Sequence, residues 1–230
     1  MPGVPRLQAV LFDFGDTLFG RKGAHRAIID TARTLGVDVD EATARERWAE
    51  VQDLARTPEE LARGRDLSPE AHRKCWTDLY SRLDGLAPGL GAALYELEID
   101  PLGWEPFADA PLIMQALRTA GVPVGVVSDT GWDIRPVFAA WDMDHLVDTY
   151  ALSCEHGVAK PAPRIFEVAC AALGVSPERA LMVGDNPLTD GGAVLSGLTA
   201  YLLPPAGERR ERGLLPVADL LGAAVPTPDL

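Results

Sequence analysis

Lysine is scarce in this 230-residue chain, which holds only Lys22, Lys74 and Lys160, and Lys and Arg together number 21 against 34 Asp and Glu. The net charge of −13 argues against a nucleic-acid footprint or an anionic-membrane surface, both of which need clustered cations. Cysteine is equally sparse. Cys75, Cys154 and Cys170 are odd in number and isolated, which disfavours a disulfide framework or a Cys-x-x-Cys metal site. No apolar run is long enough to span a bilayer, and residues 1–6 lack signal-peptide architecture, so a soluble cytoplasmic protein with reduced thiols is expected. His25, His72, His145 and His156 show no metal-ligand spacing. Repeats and low-complexity tracts are missing, and only residues 207–210 and 225–228 read as loose.

Three apolar runs, 7–12, 122–127 and 180–183, end respectively on Asp13, on Ser128, and on Gly184 with Asp185. In open parallel sheets chemistry collects at the carboxyl ends of strands. From Asp109 onward the pattern alternates: helix 110–120, strand 122–127, helix 133–141, strand 149–152, helix 162–173, strand 180–183, helix 190–196 and strand 199–203. Such alternation implies crossovers and a parallel sheet covered by helices on both faces. Between the first strand and Asp109 the periodicity is helical throughout. Ala24, Ala27, Ile28, Thr31, Ala32 and Leu35 form one stripe, and Trp48, Val51, Leu54 and Ala55 a second. A third helix opens with Ser68 as N-cap and Pro69 at its first position, and Leu90, Ala93, Leu94 and Leu97 mark a fourth. The helical block is therefore an insertion in an α/β fold. The expected division is a Rossmann-like core of residues 1–19 and 106–230 with an all-helical domain of residues 20–105.

Four strings in order resemble the motifs of the haloacid dehalogenase superfamily of aspartate-nucleophile hydrolases. They are Asp13-Phe14-Gly15-Asp16-Thr17-Leu18, Ser128-Asp129-Thr130, Lys160-Pro161 and Gly184-Asp185-Asn186-Pro187-Leu188-Thr189-Asp190. The resemblance implies that the helical insertion is a cap, whose closure excludes water and selects substrate. It also implies Asp13 as nucleophile, Lys160 as fixed positive charge, and Mg²⁺ held by Asp13, the backbone carbonyl of Gly15, Asp185 and Asp190. Ser128, Asp129, Thr130 and Lys160 would then bind a small phosphorylated substrate.

The residue types suit that chemistry. A carboxylate can attack phosphorus and divide one hard displacement into two easier ones. Attack by an anion on an anion needs fixed positive charge where negative charge spreads. Asp185 and Asp190 offer hard oxygen ligands and repel each other by roughly 4 kcal/mol at ~4 Å and an effective dielectric of ~20. Each residue also has a plainer reading. Asp13 and Asp16 could cap turns, Asp133 caps the next helix, Asp190 could cap its helix as well as hold a metal, and Lys160 could be a loop lysine. His25 and Arg21 could face the site from the cap, while Trp48 and Trp76 read as cap core.

Two departures bear on function. Phosphatases of the resembled family usually carry a second Asp two residues after the nucleophile, where this chain has Gly15; Asp16, one further on, is the other acid available. Asp129 stands where Asn is commoner, and its charge beside a phosphate is unfavourable unless neutralised. Three readings follow: a Mg²⁺-dependent phosphatase working through an aspartyl-phosphate, a 2-haloacid dehalogenase for which Gly15 is harmless, or a metal-binding regulatory protein with little turnover. The dehalogenases resembled need no metal and lack the acid found here as Asp185, so the first reading is preferred. A phosphonate-cleaving variant would need a Schiff-base lysine in the cap, for which Lys22 and Lys74 are weak candidates.

Overall fold

A computed structural model of the chain describes residues 6–21, 23–207 and 209–225. Lys22 and the loose-tail residues Glu208, Pro226, Thr227 and Pro228 fall outside the described residues. Among the described residues no helix is long and apolar enough to cross a membrane.

Seven strands are described in chain order: β1 (Ala9–Phe12), β2 (Phe19–Arg21), β3 (Trp104–Pro106), β4 (Val124–Ser128), β5 (Thr149–Leu152), β6 (Ala180–Gly184) and β7 (Thr199–Leu202). Five of them form one parallel sheet in the order β5-β4-β1-β6-β7. The central strand β1 is buried at all four positions, as its unbroken apolar run requires when both faces are covered. Val10 and Phe12 point into a cluster with helix Ala110–Thr119, helix Arg135–Ala140 and the C-terminal helix Pro216–Leu221. Leu11 points the other way, onto helix Pro163–Ala172. One strand thus serves two apolar layers, and the fold is Rossmann-like α/β.

The insertion builds its own apolar cluster from Ile28, Val51, Leu79, Leu90 and Tyr95, contributed by helices Ala24–Thr34, Glu41–Ala55, Pro69–Tyr80 and Leu90–Glu98. Ser68 caps the third of these by accepting from the Ala71 amide, and Pro69 opens it. Trp48 and Trp76 pack against the same cluster, so they belong to the core of the insertion.

Three expectations need correction. The stretch before Asp109 is not helical throughout: β2 and β3 pair antiparallel, with Phe19 opposite Pro106 and Arg21 opposite Trp104, and this ribbon straddles both joints between core and insertion. Three-residue strands are too short to show a period, and their partners lie far apart in sequence. Residues 191–196 form a 3-10 helix instead of an α-helix, which suits the weak helix propensity of its opening Gly191-Gly192. Asp133 binds the Arg135 amide at 3.1 Å, yet the helix begins only at Arg135, later than expected.

Candidate active site

The backbone of β1 runs on into Asp13, whose amide donates to the carbonyl of Val183 at 2.9 Å. Strand pairing therefore fixes the base of the Asp13 side chain. Thr17 donates to its Oδ2 at 3.3 Å, and Lys160 Nζ lies 2.6 Å from its Oδ1. The same Nζ lies 2.6 Å from Asp190 Oδ1. Lys160 is itself held from behind, because its amide donates to Asp129 Oδ1 at 2.8 Å. Three loops, after β1, β4 and β6, thereby converge on Lys160, two on its buried ammonium and one on its amide.

The fourth-motif loop is shaped by two contacts. Asp190 Oδ2 accepts from the Asn186 amide at 3.0 Å, and Asn186 Oδ1 accepts from the Leu188 amide at 2.9 Å, closing the turn on itself. Gly184 is required here, since a Cβ at that position would lie 2.2 Å from Asp190 Oδ2. Asp190 does not cap the following turn; its two oxygens go to Lys160 and Asn186 instead. One carboxylate oxygen from each of Asp13, Asp185 and Asp190 lies within 4.8 Å of the others.

Charge is unbalanced at this cluster. Burial alone would favour a neutral Lys160, but Asp13, Asp190 and Asp129 outweigh it and hold the lysine protonated. Burial, then Asp190 and Asp185, push the Asp13 carboxyl upward against the pull of Lys160. Asp185 is pushed up to about 6 by desolvation and by the charges of Asp16 and Asp190. Were all three acids ionised, one ammonium would leave two negative charges unanswered, which adds to burial in pushing the Asp13 and Asp185 carboxyls upward, and every donor is a hard oxygen. The residues present fit a small dication such as Mg²⁺.

The helical insertion packs beside the second motif, on Ser153 and Gly131. Ser153 is fully buried; its single hydroxyl proton has the carbonyls of Asp66 and Thr130 as acceptors in reach, and its Oγ accepts from the Thr130 amide at 2.9 Å. His72 packs so closely on Gly131 that a Cβ there would lie 2.1 Å from the histidine Cβ. Thr130 thus spends its amide on Ser153, and its hydroxyl pairs with the carbonyl of Trp132 at 3.3 Å. Ser128 is buried at the tip of β4. Asp129 accepts from the Lys160 amide and faces the lysine charge, but burial outweighs both and pushes its carboxyl above the usual range.

The other sequence candidates divide. Arg21 does not face the site: it pairs with Glu98, bonds Tyr80 OH at 2.9 Å and lies over the rings of Trp48 and Trp104. His25 lies 3.8 Å from Glu41 within the cap, and Lys74 is an exposed partner of Asp78. Asp16 is exposed at the mouth of the first-motif turn with a φ of 55°. Glu98, Ser153 and Trp104 escaped the sequence reading, and His72 entered it only as a histidine without ligand spacing, although Gly131 between two larger residues was a signal of close approach.

A parallel sheet whose carboxyl edge gathers aspartates around one buried lysine defines a Rossmann-like enzyme built on a carboxylate centre. The chain belongs to the haloacid dehalogenase-like hydrolases, whose family profile matches residues 7–193. It is 33% identical over 112 residues to a phosphoserine phosphatase of Thermus thermophilus, a match covering 48% of this chain and 42% of that protein. Against a glyceraldehyde 3-phosphate phosphatase of Methanopyrus kandleri it is 30% identical over 199 residues, covering 78% of this chain and 76% of the relative. A solved structure described as a dehalogenase with intermediate complex shares the fold at a TM-score of 0.65 and 22% identity, covering 95% of this chain and 98% of that one.

Proposed function

We propose that this hydrolase is a Mg²⁺-dependent phosphatase of a small phosphorylated metabolite. The observation that carries the reading is the meeting of Asp185 and Asp190 with Asp13 around a charge deficit that a dication would fill. An oxygen of Asp13 attacks phosphorus, the ester P–O bond breaks, and the leaving oxygen takes a proton. Water then attacks the same phosphorus, releasing inorganic phosphate and regenerating the Asp13 carboxylate. Lys160 holds Asp13 in place and counters the negative charge of the transition state. Ser128 binds a phosphoryl oxygen, aided by Lys160, with Asp129 and Thr130 acting as the struts behind them. Asp16 is the carboxyl that carries the leaving-group proton. Asp13, the Gly15 carbonyl, Asp185 and Asp190 would hold Mg²⁺, which when bound neutralises charge on the phosphoryl oxygens.

Residues 20–105 act as the cap, docked on the second motif through Asp66 and His72. Cys75, Cys154 and Cys170 are unpaired, which fits a reducing compartment such as the cytoplasm. One observation favours a second reading: no side chain at Gly15 offers a proton to a leaving group, and halide needs none. A panel of phosphate esters with and without Mg²⁺, run beside short-chain 2-haloacids, separates the two. Metal-dependent phosphate release, lost in Asp13→Asn together with trapping by beryllium fluoride, is expected; halide release without metal overturns the phosphatase reading.

A further inference from the structure

The C-terminal segment sends one buried side chain into the first motif. Arg212 lies between β7 and helix Pro216–Leu221, outside all four motifs, and is 1% exposed. Its backbone is anchored separately from its side chain. The Arg212 amide donates to both oxygens of Asp109 at 2.9 and 3.1 Å, and the amides of Gly213 and Leu214 donate to Asp109 Oδ2 at 2.8 Å each. Gly213 takes a φ of 84°, which lets three successive amides turn onto one carboxylate.

That anchor leaves the guanidinium for another task. Nε donates to the carbonyl of Asp16 at 2.6 Å, Nη2 donates to the carbonyl of Pro204 at 2.7 Å, and the group lies 5.4 Å from the ring centre of Phe107. Nη1 is buried without a hydrogen-bond partner. Leaving a donor unsatisfied inside a protein is costly, so packing of the whole segment must dictate this placement. Asp185 and Asp16 are the acids nearest in electrostatic effect.

Asp16 is held from both sides. Its amide donates to the carbonyl of Phe19 at 2.8 Å while its carbonyl accepts from Arg212. Its φ of 55° is disfavoured for a residue with a Cβ, so the turn depends on such restraints. With the peptide held at both ends, the Cα–Cβ direction of Asp16 is fixed, and its carboxyl lies near enough to Asp185 to help push that acid upward.

We propose that Arg212 is a positioning residue for the hydrolytic step, locking the left-handed Asp16 turn and thereby aiming the Asp16 carboxyl at the leaving group. The proposal rests on the phosphatase reading and adds to it a residue that no motif contains. Arg212→Met keeps an unbranched apolar stem beside Phe107, removes both donors, and leaves the Asp109 anchor to the backbone. Amide hydrogen exchange reads the turn without reference to activity. Exchange at the Asp16 amide should accelerate about tenfold or more in Arg212→Met while amides of β4 keep their rates. Turnover of alkyl phosphates should fall by about tenfold or more at little-changed KM, aryl phosphates should fall much less, and Arg212→Met added to Asp16→Asn should cost nothing further.

Unchanged exchange at Asp16, or a fully additive double variant, overturns the proposal. So does a loss of protection spread evenly over β1, β4 and β6, which would mark a merely structural arginine. Arg212→Lys, which keeps the charge but not the Nε geometry, provides the same readouts if Arg212→Met does not fold. Should the unaltered protein hydrolyse no phosphate ester while Arg212→Met still frees the turn, the phosphatase reading alone has failed.

Discussion

The indole of Trp104 stands 3.8 Å from the point where a Cβ on Gly15 would lie. That distance is ordinary contact, and Gly15 does not adopt a positive φ, so the backbone at this position accepts a side chain. The missing acid is therefore a chemical choice and not a conformational necessity. Asp16→Asn should lower alkyl-phosphate turnover by ~10²-fold, and Gly15→Asp placed in that background should restore part of it. Steady-state rates on alkyl and aryl esters check this. No rescue in a folded double variant would mean that the proton comes from the cap or the solvent.

Among the described residues Lys160 is the one cation bonded to both Asp13 and Asp190. Lys160→Met should abolish turnover and destabilise the fold by about 3–5 kcal/mol, because two buried carboxylates lose their partner. Added Mg²⁺ should recover part of that stability, since a dication supplies the missing charge. Urea unfolding in EDTA and in Mg²⁺ measures both effects. Equal stability with and without the lysine would reduce Lys160 to a loop residue.

Much of the sheet was legible because apolar runs and the residues that follow them report the same thing. The strand expected at 149–152 is found as Thr149–Leu152, and the Ser68-Pro69 signal opens its helix as read. Local chemistry decides such elements. The ribbon of β2 and β3 was not legible, because its pairing of Arg21 with Trp104 depends on the insertion folding back. Asp190 reads locally as a cap and is claimed instead by a lysine 30 residues away. Arg212 and Asp109 have no motif at all: their partnership exists only once the last helix packs on the sheet. Asp129 shows the same limit, since its partner, the Lys160 amide, lies 31 residues away in sequence.

Asp66 carries a testable electrostatic cost where the helical insertion meets Ser153. Burial, with Asp129 and Glu98 adding to it against Arg65, raises its pKa to about 6. A folded value above the unfolded value of about 3.9 means that stability is fully present below about pH 4 and declines as pH rises through about 6. Asp66→Asn should therefore stabilise the protein at neutral pH by up to about 2 kcal/mol and give no gain in acid. Chemical unfolding across this range measures it. A variant less stable at neutral pH would show that the ion pair with Arg65 outweighs the burial of the charge.

His72 has the opposite sign. It is 3% exposed, its Nδ1 lies 3.1 Å from Tyr95 OH, and burial lowers its pKa to about 4 despite the nearby Glu98. The unfolded chain takes up a proton at about pH 6.5 and the folded one only near 4, so stability falls as pH drops through that window, by up to about 3 kcal/mol. Because the same ring packs on Gly131, charging it should also loosen the contact between the helical insertion and the loop after β4. His72→Gln, which keeps a polar group near Tyr95, should be less stable at neutral pH through lost packing but should flatten the dependence between about pH 6.5 and 4. Between about pH 4 and 6 the slopes of His72 and Asp66 oppose each other, so the unaltered protein alone would hide both. The difference between His72→Gln and the parent isolates one of them, and a slope unchanged by the substitution would mean that the buried ring does not titrate as its surroundings require.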